Sequence, residues 1–265
     1  MDSRPVGVFD SGFGGLTAYS VIKQIMPDEN VIFFGDNSRA PYGAKTREEI
    51  QSCTKNIVDF LIASGAKALL AACGTISLNA GNVLGAASVP CCNVLEPTVE
   101  YIASHADDAP LGIIATAASI KSKGYETELA KAGVERPVVS VACPDFVTLI
   151  EGGVPYTDER VKEAVERYMK PIKDAGASTV LLGCTHYGII EPAIRNYMGD
   201  GVEIISASAC GARRLSEILA QNGIEGGEGK TKFCTSGDAG EFRKTGSVIL
   251  GYDIGEVISV PEWSI

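Results

Sequence analysis

Short β-branched or aromatic runs alternate with segments of helical period along the whole chain. The runs cover residues 5–9, 31–34, 68–72, 91–95, 111–115, 138–141, 179–182 and 202–205. Near-continuous apolar strands separated by amphipathic helices predict an α/β fold, with parallel sheet covered on both faces. Helix ends are signalled as well. Thr46 and Glu49 form a Thr-x-x-Glu capping box, Ile50, Cys53, Ile57 and Leu61 share one face, and Gly65 ends the segment. The helix after Asp158 starts with a similar device, carries Val161, Ala164, Val165, Tyr168 and Ile172 as its apolar stripe, and stops before Gly176.

These two helix-strand units match each other without a gap. Ala63-Ser-Gly-Ala-Lys-Ala-Leu-Leu-Ala-Ala-Cys73-Gly-Thr75 lies against Asp174-Ala-Gly-Ala-Ser-Thr-Val-Leu-Leu-Gly-Cys184-Thr-His186, glycine on glycine and cysteine on cysteine. A weaker echo pairs Gly7-Val-Phe-Asp-Ser11 with Gly112-Ile-Ile-Ala-Thr116. The economical reading is a duplicated α/β half. Ligands of parallel sheets sit beyond the carboxyl ends of the strands, and Cys73 and Cys184 both fall there, between a strand and a helix. If the halves face each other, the two thiols do too; the alternative is that a small residue suited a tight turn twice.

Composition narrows the chemistry. The chain has 265 residues, with 33 acidic against 23 basic side chains, and 33 − 23 gives a formal charge of −10. No basic run exceeds Arg213-Arg214, so phosphate backbones are poor partners and no nucleic acid is expected. Apolar stretches such as 68–73 are far short of the ~20 residues that span a bilayer. No apolar signal segment precedes Asp10. The expectation is a cytoplasmic protein with no membrane partner. Eight cysteines without a C-x-x-C, beside two histidines, read as free thiols and give no metal-ligand spacing. Gly12-Phe-Gly-Gly15 lacks nucleotide-loop spacing. Cys91-Cys92 reads as packing, His105 as solvated, Trp263 as a tail anchor, and the glycines at 223, 226, 227 and 229 as a flexible surface loop.

Two opposed thiols suit one kind of reaction: removing a proton from one face of a carbon acid and returning one on the other. A thiol pKa of about 8.5 is tunable toward the neutral range that general acid–base work requires. Longer motifs point the same way. Gly7-Val-Phe-Asp-Ser-Gly-Phe-Gly-Gly-Leu-Thr17, Phe34-Gly-Asp-Asn-Ser-Arg-Ala-Pro-Tyr-Gly43, Ala71-Ala-Cys-Gly-Thr75, the acid of Leu149-Ile-Glu-Gly152, and Gly183-Cys-Thr-His-Tyr187 resemble the consecutive motifs of the glutamate racemases, within the aspartate/glutamate racemase superfamily. The resemblance runs from about residue 5 to residue 220.

It implies a cofactor-independent enzyme interconverting L- and D-glutamate for peptidoglycan synthesis, with Cys73 and Cys184 as the two bases. It implies Asp10 as the acid beside the first cysteine and Glu151 with His186 as the pair assisting the second. Ser11, Pro41, Tyr42, Gly43, Thr75, Thr116 and Thr185 match substrate-contacting positions, as do Asp10 and His186, with glutamate as the small-molecule partner. Relatives commonly form homodimers, and the same is expected here. Ser119 stands where the family commonly has threonine and is a further candidate ligand. Gly74 is the main departure: the family carries asparagine there, and a lost hydrogen bond to a charged group is worth about 1.5 to 3 kcal/mol.

The expected architecture is two pseudo-symmetric parallel-sheet α/β domains with the active site in the cleft between them. Residues 1–95 plus 206–265 form the first domain and 96–205 the second. Alternatives are a racemase or isomerase of the same superfamily acting on another amino or carboxylic acid, and a catalytically weak binding protein for an acidic metabolite.

Overall fold

The computed structural model describes residues 2–105 and 107–260; Trp263 lies outside the described residues. Among the described residues, ten strands form two parallel sheets. They are β1 Val6–Asp10, β2 Val31–Gly35, β3 Ala68–Ala71, β4 Cys91–Asn93, β5 Leu111–Ala115, β6 Val138–Ala142, β7 Thr179–Leu182, β8 Glu203–Ser206, β9 Thr231–Thr235 and β10 Val257–Ser259. The six-stranded sheet runs β10-β9-β2-β1-β3-β4 and the four-stranded sheet β6-β5-β7-β8. Setting β1 on β5, β2 on β6, β3 on β7 and β4 on β8 gives the same strand order twice. The register agrees as well, since Gly7 pairs with Leu69 and its counterpart Gly112 with Val180. The echo read in the sequence is therefore a repeated fold.

Each half is built by the signals that predicted it. Thr46 accepts from the Glu49 N–H and Glu49 accepts from the Thr46 N–H, closing the capping box of the Arg47–Ala63 helix. Its buried face includes Ile50, Cys53, Ile57 and Leu61, and Gly65 follows with φ of 88°. In the second half Asp158 caps the Glu159–Asp174 helix through the Arg160 N–H, without the reciprocal box. Val161, Ala164, Val165, Met169 and Ile172 are its buried stripe, and Tyr168 is half-buried.

Three expectations need revision. The run at 91–95 ends as strand at Asn93, because the Asn93 carboxamide accepts from the N–H groups of Leu95 and Glu96 and starts the next helix. Strands β9 and β10 extend the first sheet without having been expected. The glycine-rich 223–229 segment is bonded down rather than loose. Fully buried Lys67 pairs with Glu29 at 2.8 Å and donates to the carbonyls of Asp2 at 2.6 Å and Gly226 at 2.8 Å. Gly226 N–H in turn donates to Glu29. No described helix is long and apolar enough to cross a membrane.

Removing one member of this buried pair leaves the other charge without a partner. Lys67→Met is expected to cost about 3–5 kcal/mol in urea unfolding, and Lys67→Met with Glu29→Leu to recover much of it. Equal midpoints for parent and single variant would show that the pair contributes no stability.

Candidate active site

The carboxyl ends of β1 and β3 meet those of β5 and β7. Asp10 ends β1 and is 1 % exposed. A buried carboxylate needs hydrogen-bond partners, and its two oxygens find them in different halves. Oδ1 accepts from the Gly12 N–H at 2.7 Å, and Oδ2 accepts from the Thr185 hydroxyl at 3.3 Å. Burial dominates and lifts the Asp10 pKa to about 6, against the opposing pull of His186 and these two donors.

Cys73 follows β3 and precedes the short Gly74–Asn79 helix, with its thiol buried. Its Sγ lies 3.4 Å from the Ser11 hydroxyl, and Ser11 is 3.5 Å from Asp10 Oδ1. Burial, then the charge of Asp10, pushes this thiol up to about 12, although Ser11 and the Ile76 N–H act in the opposite direction. Cys73 is accordingly held as the thiol near neutral pH.

The second cysteine has a different neighbourhood. Cys184 is half-buried after β7 and opens a 3-10 turn, Thr185–Ile189. Its sulfur stands 3.7 Å from His186 Nδ1, and His186 Nε2 is 2.9 Å from Glu151 Oε1 at the end of the Pro144–Glu151 helix. Burial disfavours a charged imidazole there. Bonds to Cys184 and Glu151, with the charges of Cys184 and Asp10, outweigh it and raise the His186 pKa to about 10. The ring is an imidazolium through the neutral range. Two chains thus converge, cysteine–serine–aspartate from one half and cysteine–histidine–glutamate from the other.

Several hydroxyls of the remaining candidates are bonded to other protein groups. Tyr42 is buried and its hydroxyl donates to Asp36, which also accepts from Arg39 at 2.8 Å and Ser236 at 2.6 Å. The Tyr42 hydroxyl is therefore taken up by Asp36. The Gly43 turn meets the opposite lip, where a Cβ on Gly43 would lie 3.1 Å from the Ala118 Cβ. Thr116 caps the Ala117–Ser122 helix, accepting from the Ser119 N–H and donating to the Ser119 hydroxyl at 3.0 Å. Ser119 is itself buried, so its oxygen serves this cap. Thr75 is half-buried beside Cys73. Gly74 leaves its place without a side chain.

Two site residues were not singled out from the sequence. Asp36 anchors the Tyr42 turn, and its only sequence signal is its place in the Phe34 to Gly43 motif. Gly14 is the other. A Cβ there would lie 2.3 Å from the Thr185 hydroxyl and 2.5 Å from His186 Nδ1, so only glycine lets the first half approach the second this closely.

Known proteins resemble this chain in sequence and in fold. A family described as Asp/Glu/Hydantoin racemase matches residues 16–215. Glutamate racemase 2 of Caldanaerobacter subterraneus subsp. tengcongensis is 36% identical over 262 residues, covering 98% of each chain. A glutamate racemase of Bacillus cereus is 34% identical, covering 96% of each. The crystal structure of a Bacillus anthracis glutamate racemase isoform superposes with a TM-score of 0.88 at 34% identity, covering 98% of both chains. That of the Francisella tularensis enzyme, solved with D-glutamate, gives 0.86 at 32% identity and the same coverage.

Two outcomes follow from the geometry. Gly14→Ala should displace Thr185 and His186 and reduce turnover by about 100-fold or more, with a circular dichroism spectrum like the parent's. Asp10 at about 6 stands above its ordinary 3.8. Between those values the native state binds more protons than the unfolded chain, so stability falls as pH rises through about 6. Asp10→Asn removes the charge: its melting temperature should match the parent near pH 4 and exceed it at pH 7, by at most about 3 kcal/mol in stability. A difference independent of pH would contradict the buried-carboxylate account. By sequence, by fold and by the convergence of both cysteines on one cleft, the chain belongs to the glutamate racemases of the Asp/Glu/Hydantoin racemase family.

Proposed function

We propose that this chain interconverts L- and D-glutamate by two bases, Cys73 and Cys184, and so supplies D-glutamate for peptidoglycan. The observation that carries the reading is the pairing of two equivalent strand-end cysteines, each backed by its own proton-relay chain, in one cleft.

In each turnover one cysteine, as thiolate, takes the Cα proton. The electron pair left on Cα delocalises into the α-carboxylate, and the opposite thiol delivers its proton to the other face. Cys73, held as the thiol by burial and the charge of Asp10, starts as the donor. The base in that direction is then Cys184, with the His186 imidazolium 3.7 Å from its sulfur facing the charge. In the reverse direction Cys73 must ionise. Its proton has a path through Ser11 to Asp10, a carboxylate whose raised pKa makes it a competent acceptor. No cofactor enters this scheme. The protein stabilises the carbanionic intermediate through fixed donors and exclusion of water.

Substrate carboxylates meet local donors rather than a positive field, since the chain carries −10 overall. With the hydroxyls of Tyr42, Thr116 and Thr185 donated to protein groups, those residues are left to offer backbone N–H groups, and Ser11 offers a hydroxyl beside Cys73, with Thr75 two residues further on. The same reading includes the division into residues 1–95 with 206–265 and residues 96–205, which the strand membership of the two sheets supports. A homodimer and a cytoplasmic location are carried by family resemblance.

The test is exchange at Cα. Incubated in deuterated water without added cofactor, L- or D-glutamate should gain Cα deuterium and lose optical rotation. Cys73→Ala and Cys184→Ala should each lower racemisation by about 1,000-fold or more. Parent protein that exchanges aspartate but not glutamate would overturn the substrate assignment, and racemisation surviving either alanine variant would overturn the two-base assignment.

A further inference from the structure

Position 74, where the sequence departs from the family pattern, is also where the backbones carrying the two thiols touch. A Cβ on Gly74 would lie 3.1 Å from the carbonyl oxygen of Gly183 and 3.5 Å from the Tyr125 hydroxyl. Gly74 directly follows Cys73, and Gly183 directly precedes Cys184. Tyr125 belongs to the Gly124–Lys131 helix, is 1 % exposed, and donates its hydroxyl to the Gly183 carbonyl at 3.2 Å.

Two more close approaches seat this phenol. A Cβ on Gly183 would come within 3.0 Å of Tyr125 Cε2, so the strand end rests on the ring itself. A Cβ on Gly124 would strike Leu78 Cδ2 at 2.2 Å, so the helix bearing Tyr125 is pressed against the helix that Cys73 opens. Tyr125 therefore touches the turn of one cysteine and leans on the helix of the other. Burial, then the charges of Cys184 and Cys73, raises the phenol's pKa above its ordinary value, which keeps the hydroxyl a donor.

Resting on the two-base reading, we propose that Tyr125 is a positioning residue for the reaction: its hydroxyl pins the Gly183 carbonyl against side-chain-free Gly74 and thereby sets the spacing of the two thiols. Two-base transfer demands this control, because one carbon must lie within proton-transfer reach of both sulfurs at once. An error in their spacing lowers the rate of transfer more than it weakens binding. A side chain at position 74 would press on the same carbonyl from the other side, so Gly74 and the Tyr125 bond act on a single degree of freedom.

Tyr125→Phe keeps the ring and removes only the hydroxyl. Its kcat is expected to fall about 10-fold in both directions with KM within about twofold of the parent. Amide hydrogen exchange of residues 183–187 is expected to quicken about 10-fold while the other segments stay as in the parent. Gly74→Ala, which displaces the carbonyl by crowding it, should lower kcat too, and the double variant should lose less than the product of the two single losses. An unchanged kcat per folded molecule, unchanged exchange at 183–187, or fully multiplicative losses would each overturn the proposal. Exchange needs no turnover, so a parent chain unable to racemise glutamate would refute the functional reading while the exchange result still decided the role of Tyr125.

Discussion

The structure depends on one buried carboxylate whose partners come from opposite halves of the chain. Asp10 has lost nearly all contact with water, and an ionised group in that position is costly unless donors surround it. Gly12 supplies one from the turn after its own strand, and Thr185 supplies the other from the far side of the cleft. That crossing bond joins the carboxyl ends of the two sheets. It also requires close approach, which explains why Gly14 has no side chain: a methyl group would occupy the space of Thr185 and His186. The electrostatics follow from the same contact. Asp10 helps hold His186 as an imidazolium, and its charge adds to burial in keeping Cys73 protonated.

A duplicated fold has in this way acquired two unlike ends. Strand order and register repeat from one half to the other, yet the first cysteine is buried beside an acid and the second is half-buried beside a cation. Gly74 and Thr185 occupy equivalent places in the repeat. One has no side chain and the other reaches across to Asp10. A two-base reaction needs its groups in complementary protonation states at the start of each turnover, so identical surroundings would serve it poorly. The fold contributes the paired strand ends, and the divergence of neighbours sets an acid near one cysteine and an imidazolium beside the other.

The parts of this arrangement legible in the sequence are those encoded locally. The eight apolar runs fall on strands because parallel strands buried on both faces must be almost wholly apolar. The capping box at Thr46 is read directly, since its partners are three residues apart. Strand β9 escaped because Thr231 and Lys232 interrupt its apolar pattern, and β10 because three residues carry too little pattern. The ties at Gly226 were hidden for another reason: glycine-rich composition reports backbone freedom, but Lys67 and Glu29, which restrain this segment, are far away in sequence. The pairing of Glu151 with His186 likewise spans 35 residues, and only the resemblance named it beforehand.

The hydroxyl groups of the site are engaged within the protein. Thr116, Thr185 and Tyr42 match substrate-contacting positions by resemblance, and each hydroxyl donates to a protein group. Their bonds fix the turns that carry them, and a donor already held in place loses little entropy when an anion arrives. This matters for a chain of net charge −10 whose cleft adds Asp10 and Glu151 to a single imidazolium. Long-range attraction does not draw an anionic amino acid inward. Selectivity must then come from short-range donors, which recognise a carboxylate only when the two halves hold them at the correct separation, and that separation is what the Asp10–Thr185 bond sets.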